Sequence, residues 1–290
     1  MNMEIPKISV VIPSLGEKIL PDTIKSLNEG TLRPEEIIVC LTNESDFDTN
    51  KFFFKNVKKI STKNKGQVFQ RIEGFKLAKN DYVLQLDSDI RVSKFCLEHL
   101  YNRIKNKKIS SVGPKLYDLK DEIYFSANTP KISDRLSIYE KLFFYIMNGE
   151  NGFQAGKISR SGEPMGVPES GYYENLDWLP GCCVLHRKEN LIVDNFYFFS
   201  GKAFAEDLFH SYMLKDKGIE LIRDDKAICY VDFSSQKTDY FFSHLKIILS
   251  SLKARKSFSK KVNGSNFRFY LVLILNSIKS GFRFLFKYEF

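Results

Sequence analysis

Ile8-Ser9-Val10-Val11-Ile12 is a β-branched run closed by Pro13, the pattern of a short buried strand. A helix is predicted from about 21 to 28, a second strand over 36–41 and a weaker third over 57–60. Between 66 and 79 the apolar positions Val68, Ile72, Phe75, Leu77 and Ala78 recur at helical spacing. Tyr82-Val83-Leu84-Gln85-Leu86 then reads as a strand that stops at Asp87-Ser88-Asp89, followed by a helix over 94–105 and a strand over 110–113. Strands alternating with helices predict an α/β fold, a mostly parallel sheet covered on both faces.

The rhythm breaks after Pro114. A helix is expected over 134–147, then an irregular stretch rich in Gly, Ser and Pro from 148 to 172, of the kind that serves as a functional loop or lid. Regular structure returns with a strand over 181–186 and a helix from 206 to 217 ended by Gly218. Short closing strands are predicted over 219–222 and 227–231.

Composition adds exclusions. With 43% hydrophobic and 27% charged residues the 290-residue chain is globular. No apolar run reaches the roughly 18 residues of a spanning helix, and the N-terminus lacks the basic and apolar regions of a signal peptide. The five cysteines are scattered without a C-x-x-C pair, which fits free thiols in a reducing cytoplasm.

The net charge of +9 is concentrated. Residues 234–290 hold 11 Lys or Arg against 2 Asp or Glu, so the remainder is neutral. That tail invites an anionic partner. Phe267, Tyr270, Leu271, Ile274, Ile278, Phe282 and Leu285 recur at three- and four-residue steps, with Arg268, Lys279, Arg283 and Lys287 on the other side of the wheel. An amphipathic helix of this kind lies on a membrane surface or docks on its own core, and both readings stand. Nucleic acid is not expected as a partner, because no stacking motif or reading helix is present.

Candidate chemistry starts at Asp87 and Asp89. Residues i and i+2 of an extended segment point the same way, so their carboxylates can converge on one hard cation, Mg²⁺ or Mn²⁺. With 17 Asp in the chain a D-x-D also arises by chance, and Asp46-Phe47-Asp48 is a second one. Only Asp87 ends an apolar strand, where ligands of open α/β sheets bind; capping or turn chemistry is the alternative. Glu206-Asp207 opens a helix, as an N-terminal cap or as a general base at a cleft. His210, one turn on, reads as a surface histidine rather than a partner. Trp178 precedes Pro180-Gly181 and is either core or an apolar platform for a sugar face. No phosphate loop, nucleophile elbow, dinucleotide fingerprint or zinc-spaced histidine pair occurs.

In order and spacing these pieces resemble the family 2 glycosyltransferases of the GT-A fold. The resemblance runs over residues 7–232: the opening strand with Pro13 and Ser14; the block Asn64-Lys65-Gly66, Arg71, Gly74, Ala78, Tyr82 and Leu86 to Asp89; Trp178 to Gly181; and Ala205-Glu206-Asp207-Leu208 with Lys217-Gly218. It implies a nucleotide-sugar-binding half over 1–115 and an acceptor-binding half over 116–233, followed by the basic helical tail over 234–290 that charge and periodicity mark. It also implies transfer from a nucleotide-diphosphate sugar to a hydroxyl, usually with inversion, in assembly of a surface glycan such as lipopolysaccharide or capsule.

Carried over residue by residue, Asp89 would ligate Mn²⁺ or Mg²⁺, with Asp87 at the ribose or the metal shell, and Asp207 would be the base. Pro13, Ser14, Arg71 and Ser88 would line the donor pocket, and Trp178, Gly181 and Glu206 the acceptor side. Two departures stand out. The family's Asp-Asp-Gly-Ser element is replaced by Leu41-Thr42-Asn43-Glu44-Ser45, leaving Thr42, Asn43 or Glu44 to read the base. A metal-binding His after the last strand is replaced by Asp232, itself a hard ligand. The expected setting is cytoplasmic, with peripheral attachment to the inner face of the membrane through 259–290. The competing readings are a sugar-nucleotide pyrophosphorylase, disfavoured by the single Gly in Pro13 to Glu17, and a non-catalytic membrane or polyanion adaptor.

Overall fold

The computed structural model describes residues 6–42, 54–130, 135–199, 203–232 and 241–286, with side chains described for 249–279 of the last stretch. Asn43, Glu44 and the Asp46–Asp48 pair lie outside the described residues, as does Lys287; so do the side chains of Phe282, Arg283 and Leu285. The chain divides into two compact units, Met1–Phe125 with Glu169–Asp232, and Ser126–Pro168 with Phe233–Phe290.

The first unit is an eight-stranded sheet with helices. In chain order its elements are β1 (Ile8–Pro13), α1 (Leu20–Asn28), β2 (Glu36–Leu41), β3 (Val57–Ser61), α2 (Gln67–Leu77), β4 (Tyr82–Leu86), β5 (Ile90–Val92) and α3 (Cys96–Ile104). After α3 come β6 (Ser110–Asp118) and, beyond the residues of the second unit, β7 (Cys183–Arg187), α5 (Glu206–Asp216) and β8 (Glu220–Val231). The strand order is β3-β2-β1-β4-β7-β6-β8-β5. β3, β2, β1 and β4 run parallel, β7 is antiparallel to β4 and β6, β6 and β8 pair in parallel, and β5 pairs antiparallel with β8.

β1 and β2 are buried at every position, with α2 packed against both, which is why their sequences are continuous rather than alternating. Val11, Ile38, Cys40, Phe75, Ala78, Val83 and Leu191 form one core cluster. Gly74 is required by that packing. A β-carbon there would stand 2.3 Å from Val11 Cγ1 and 2.7 Å from Cys40 Sγ, so α2 could not lie this close to the sheet. The sequence pattern missed β5, and it split β8 into two strands. The polar residues Arg223 to Lys226 suggested that break, yet β8 stays in one ladder through a register shift opposite Gly113/Lys115.

The second unit contains α4 (Ile138–Asn148), α6 (Phe241–Lys261) and α7 (Asn266–Phe286). Ser137 caps α4 in a box: its hydroxyl accepts from Glu140 N at 3.2 Å while the Glu140 carboxylate accepts from Ser137 N at 2.8 Å. Phe143, Phe144 and Met147 of α4 pack with Met165 and with Val272 of α7. Arg268 Nη1 donates to the carbonyls of Tyr145 and Ile146 at 2.7 and 2.8 Å, at the C-terminus of α4, where backbone acceptors run short of intrahelical partners.

The expected lid over 148–172 is largely built into this unit instead. Arg255 of α6 grips Glu163 through two hydrogen bonds of 3.1 and 2.6 Å, Ser259 Oγ donates to Ser161 O at 2.8 Å, and Met165 is fully buried. Its small polar residues serve close packing and internal hydrogen bonds, which composition alone cannot separate from loop character. α6 falls in the stretch expected as a basic helical tail, although the periodicity marks only the part that forms α7.

Candidate active site

The parallel strands deliver their C-terminal ends to one edge. Ser14 follows β1 and donates its backbone N–H to Cys40 O of β2 at 2.9 Å, and Gln70 of α2 ties the same corner by donating Nε2 to Ser14 O and Cys40 O at 2.8 and 2.7 Å. Pro13 closes β1 beside it. The Ser14 hydroxyl is already engaged with Glu17.

Asp87 leaves β4 at that edge. Its N–H donates to Cys182 O at 2.9 Å, because β7 runs antiparallel alongside with Leu86 opposite Cys183. Asp87 Oδ1 accepts from Gln67 Nε2 at 2.8 Å and from Arg71 Nη2 at 3.0 Å, both from α2. Arg71 does not face an open phosphate site. It is 2% exposed, and its other terminal nitrogen holds both oxygens of Glu206 at 3.0 and 2.9 Å. Burial alone would pull its guanidinium down, but Glu206 and Asp87 outweigh that and hold it charged. The Glu206 carboxyl is pushed up by burial and Asp87, against the pull of Arg71.

Glu206 and Asp207 open α5 after Ala205, a non-glycine residue in the left-handed region at φ 57°. Asp207 is half-buried and accepts from Leu208 N at 2.9 Å through Oδ1. Burial, then the neighbouring Glu206 charge, raises its carboxyl to about 7. An acid so placed exchanges a proton near neutrality, which a general base requires.

Gly181 lies between the two acidic elements. A β-carbon there would meet Glu206 Oε1 at 2.7 Å and Asp207 Cβ at 3.3 Å, while its carbonyl accepts from Gln85 Nε2 of β4. Only the absence of a side chain lets β7 and α5 approach this closely. Cys182 stands in the field of Asp87, Asp89 and Asp207 together, which with burial raises its thiol well above the usual range. Cys182 therefore feels the charge of all three carboxylates.

Asp89 completes the acidic side. Burial first, then Asp87, Glu17 and Asp232, raise its carboxyl to about 6. Asp232 N donates to Asp89 O at 3.4 Å, placing the end of β8 at the start of β5. Asp87, Asp89, Glu17 and Asp232 thus feel one another's charge, although no three of these carboxylates among the described residues bring their oxygens within 4.8 Å of one another, and Asp87 is shared with a guanidinium that Glu206 also holds. Hard, anionic oxygen donors of this kind are the chemistry that suits a divalent cation of the Mg²⁺ or Mn²⁺ class, which would have to draw them together. Ser88 is buried, and its carbonyl accepts from Thr23 Oγ1 at 2.8 Å, which pins the turn between the two acids.

Other expectations shift. Trp178 is buried at 7% exposure, so its ring packs in the interior rather than offering an open face. His210 is buried, not on the surface, stacked on Phe196 with ring centres 5.4 Å apart and 5.5 Å from His186. Burial drives both imidazoles down, His186 to about 3, and the Arg71 charge adds to the effect. Sequence reasoning missed Gln67, Gln70, Gln85, Glu17 and Cys182; glutamines in a helix or strand carry no pattern, while Glu17 had been counted only as an acid near strand one. It also gave no sign that Cys96, Cys183 and Cys229 bring their sulfurs within 4.8 Å of one another; all five cysteines are free thiols.

Residues 9–159 match the family model described as glycosyl transferase family 2. Among solved structures, the crystal structure of GalNAc-T7 with UDP, GalNAc and Mn²⁺ is similar with a TM-score of 0.58 at 14% identity, over 95% of this chain and 58% of that one. The chain thus spans little more than half the length of that protein. Residues 1–349 of S. aureus TarS give a TM-score of 0.49 at 18% identity, over 84% of this chain and 65% of that one. A comparison with curated protein sequences finds no match.

Proposed function

Because the chain belongs to glycosyl transferase family 2 and has the GT-A fold, we propose that this glycosyltransferase, which takes its sugar from a nucleotide-sugar donor, works by metal-assisted inversion on a hydroxyl acceptor of a surface glycan. The proposed halves are 1–115 for the donor and 116–233 for the acceptor, with Pro13, Ser14, Ser88 and Glu44 on the donor side. The observation that carries the reading is that Arg71 joins Asp87 to Glu206, the neighbour of Asp207, while Asp87 N donates to Cys182 O beside Gly181, which lies against Asp207.

In one displacement the acceptor oxygen bonds to the anomeric carbon, the bond from that carbon to the diphosphate oxygen breaks with its electron pair, and the acceptor proton passes to Asp207. The carboxylate of Asp207 is the species that takes the proton, and its raised proton affinity makes it a competent base near pH 7. Asp87, Asp89 and Asp232 would hold Mn²⁺ or Mg²⁺, which supplies charge neutralisation to the departing diphosphate. The likeness to a protein crystallised with UDP and Mn²⁺ supports that choice of ion.

Arg71 is a positioning residue in this scheme. It links Asp87 of the donor side to Glu206, the neighbour of Asp207, and so fixes the distance between metal shell and base. Gly181 lets the start of α5, with Asp207, sit close against the acceptor side. Trp178 would support that side from the interior, and Glu206 acts through Arg71 rather than by touching the acceptor. The enzyme is placed at the cytoplasmic face of the membrane, where its basic C-terminal segment meets anionic lipid.

A thermal-shift screen of UDP-, GDP-, dTDP- and CMP-sugars with and without Mn²⁺ tests the reading, since a ligand that binds only the folded state raises Tm. One nucleotide sugar should stabilise the protein in a Mn²⁺-dependent way and be slowly hydrolysed. If none is bound or hydrolysed, the transferase mechanism fails.

A further inference from the structure

α7 carries two apolar faces, and only one of them is used. Phe269 and Val272 point inward, where Val272 joins the cluster of Phe143, Phe144, Met147 and Met165. Phe267, Tyr270, Ile274 and Ile278, at steps of three or four, face outward with 74%, 39%, 53% and 49% exposure. Scattered exposed apolar residues are ordinary, but four in line on one helix make a patch that calls for a cover.

The charge around the patch says what the cover is. Residues 241–286 contain nine Lys or Arg and no Asp or Glu. Lys256 of α6 lies 5.0 Å from the Tyr270 ring centre, and Arg268 lies 5.9 Å from that of Tyr145 on α4, so cations and half-exposed tyrosines flank the apolar line. Lys253, Lys260, Lys261 and Lys279 are exposed on the same two helices. A second copy of the chain would bring cations against cations with no acid in these helices to answer them. An apolar line bordered by cations and aromatic rims matches instead the boundary between acyl chains and anionic headgroups. No helix among the described residues is long and apolar enough to cross a membrane, so the fit is to a helix lying in the surface.

We propose that α7 lies in the interface of an anionic bilayer, with Phe267, Tyr270, Ile274 and Ile278 inserted below the headgroups and the lysines of α6 and α7 paired with lipid phosphates. The proposal sharpens the membrane placement above and stands apart from the sugar chemistry. The two fail separately, because donor hydrolysis needs no lipid and lipid binding needs no donor.

The test is co-sedimentation of the full chain with vesicles of phosphatidylglycerol and phosphatidylcholine, and with vesicles of phosphatidylcholine alone. Wild type should bind the anionic vesicles and bind the neutral ones at least about tenfold more weakly. Phe267→Glu and Ile274→Glu should each weaken anionic-vesicle binding about tenfold or more with donor hydrolysis unchanged. Lys253→Gln/Lys260→Gln should weaken it and reduce its salt dependence. Should either Glu variant lose hydrolysis, Phe267→Ala and Ile274→Ala replace it, with a smaller loss in the same direction. The proposal is overturned if wild type ignores anionic vesicles, or if apolar substitutions leave binding intact and only salt abolishes it. It is equally overturned if light scattering shows a dimer that Ile274→Glu splits, which would make the cover a second copy.

Discussion

One terminal nitrogen of Arg71 holds both carboxylate oxygens of Glu206, at 3.0 and 2.9 Å, across 135 positions of sequence. Both side chains are almost fully buried, and the second terminal nitrogen reaches Asp87 at 3.0 Å. In water such a pair adds little. Inside the protein the cost of taking three charges from solvent is met only while all of them stay paired.

Arg71→Met should therefore be costly. Removing one partner of a buried ion pair typically destabilises by about 3–5 kcal/mol, since the orphaned charge remains. The double variant Arg71→Met/Glu206→Leu removes the deeper charge too and should recover part of that loss, leaving the more exposed Asp87 unpaired. Urea unfolding of wild type, Arg71→Met, Glu206→Leu and the double variant measures the coupling. If the single variant is as stable as wild type, the bridge does not support the fold.

Asp207→Asn should abolish transfer while donor binding, read by thermal shift, is kept. In wild type, acceptor-dependent kcat/KM should rise with pH and level off above an acid limb centred near 7, because the base must be ionised and its carboxyl sits at about 7. A flat profile between pH 5.5 and 8.5, with chemistry rate-limiting, would remove Asp207 from the proton path.

How much of this site was legible in the sequence follows from which interactions are local. Strand ends are local: the apolar run ending at Asp87 and the acidic pair opening α5 were both readable, because burial pattern and helix start are written within a few residues. The Arg71 bridge was not, since its partners lie on different elements and a buried arginine looks like any basic helix residue. Arg71 was read as a phosphate contact for that reason, and the structure spends it on two carboxylates. Likewise α7 was read with one apolar face; its period fits docking and exposure equally, and only the packing of Phe269 and Val272 assigns the inner line.

His186 gives a stability prediction of its own. It is fully buried, its Nδ1 faces the Ser111 hydroxyl at 2.8 Å, and its proton affinity falls from the usual 6.5 to about 3. A histidine depressed in the fold takes up protons first in the unfolded chain. Its stabilisation is thus complete above about pH 6.5 and declines as pH falls toward 3. Between pH 7.5 and 5.5 this one group should remove about 1 kcal/mol. His186→Leu, though less stable at pH 7.5 because Ser111 loses its partner, should show a slope shallower by that amount in urea unfolding. Equal slopes would mean that His186 is not shielded from protonation.

Gln67 offers the most direct test of how the acidic edge is held. Its amide donates to the same Asp87 oxygen that Arg71 contacts, at 2.8 Å, and so fixes the rotation of the carboxylate and leaves the other oxygen for a cation. Residues that orient a metal ligand without touching the metal commonly change affinity by about 10–100-fold. Gln67→Ala should raise the Mn²⁺ concentration for half-maximal donor hydrolysis by about tenfold, with the rate at saturating Mn²⁺ within a few-fold of wild type and Tm little changed, as the side chain lies at the start of α2. A loss of maximal rate at unchanged Mn²⁺ dependence would instead assign Gln67 to the donor, and no change in either would release Asp87 from the metal shell.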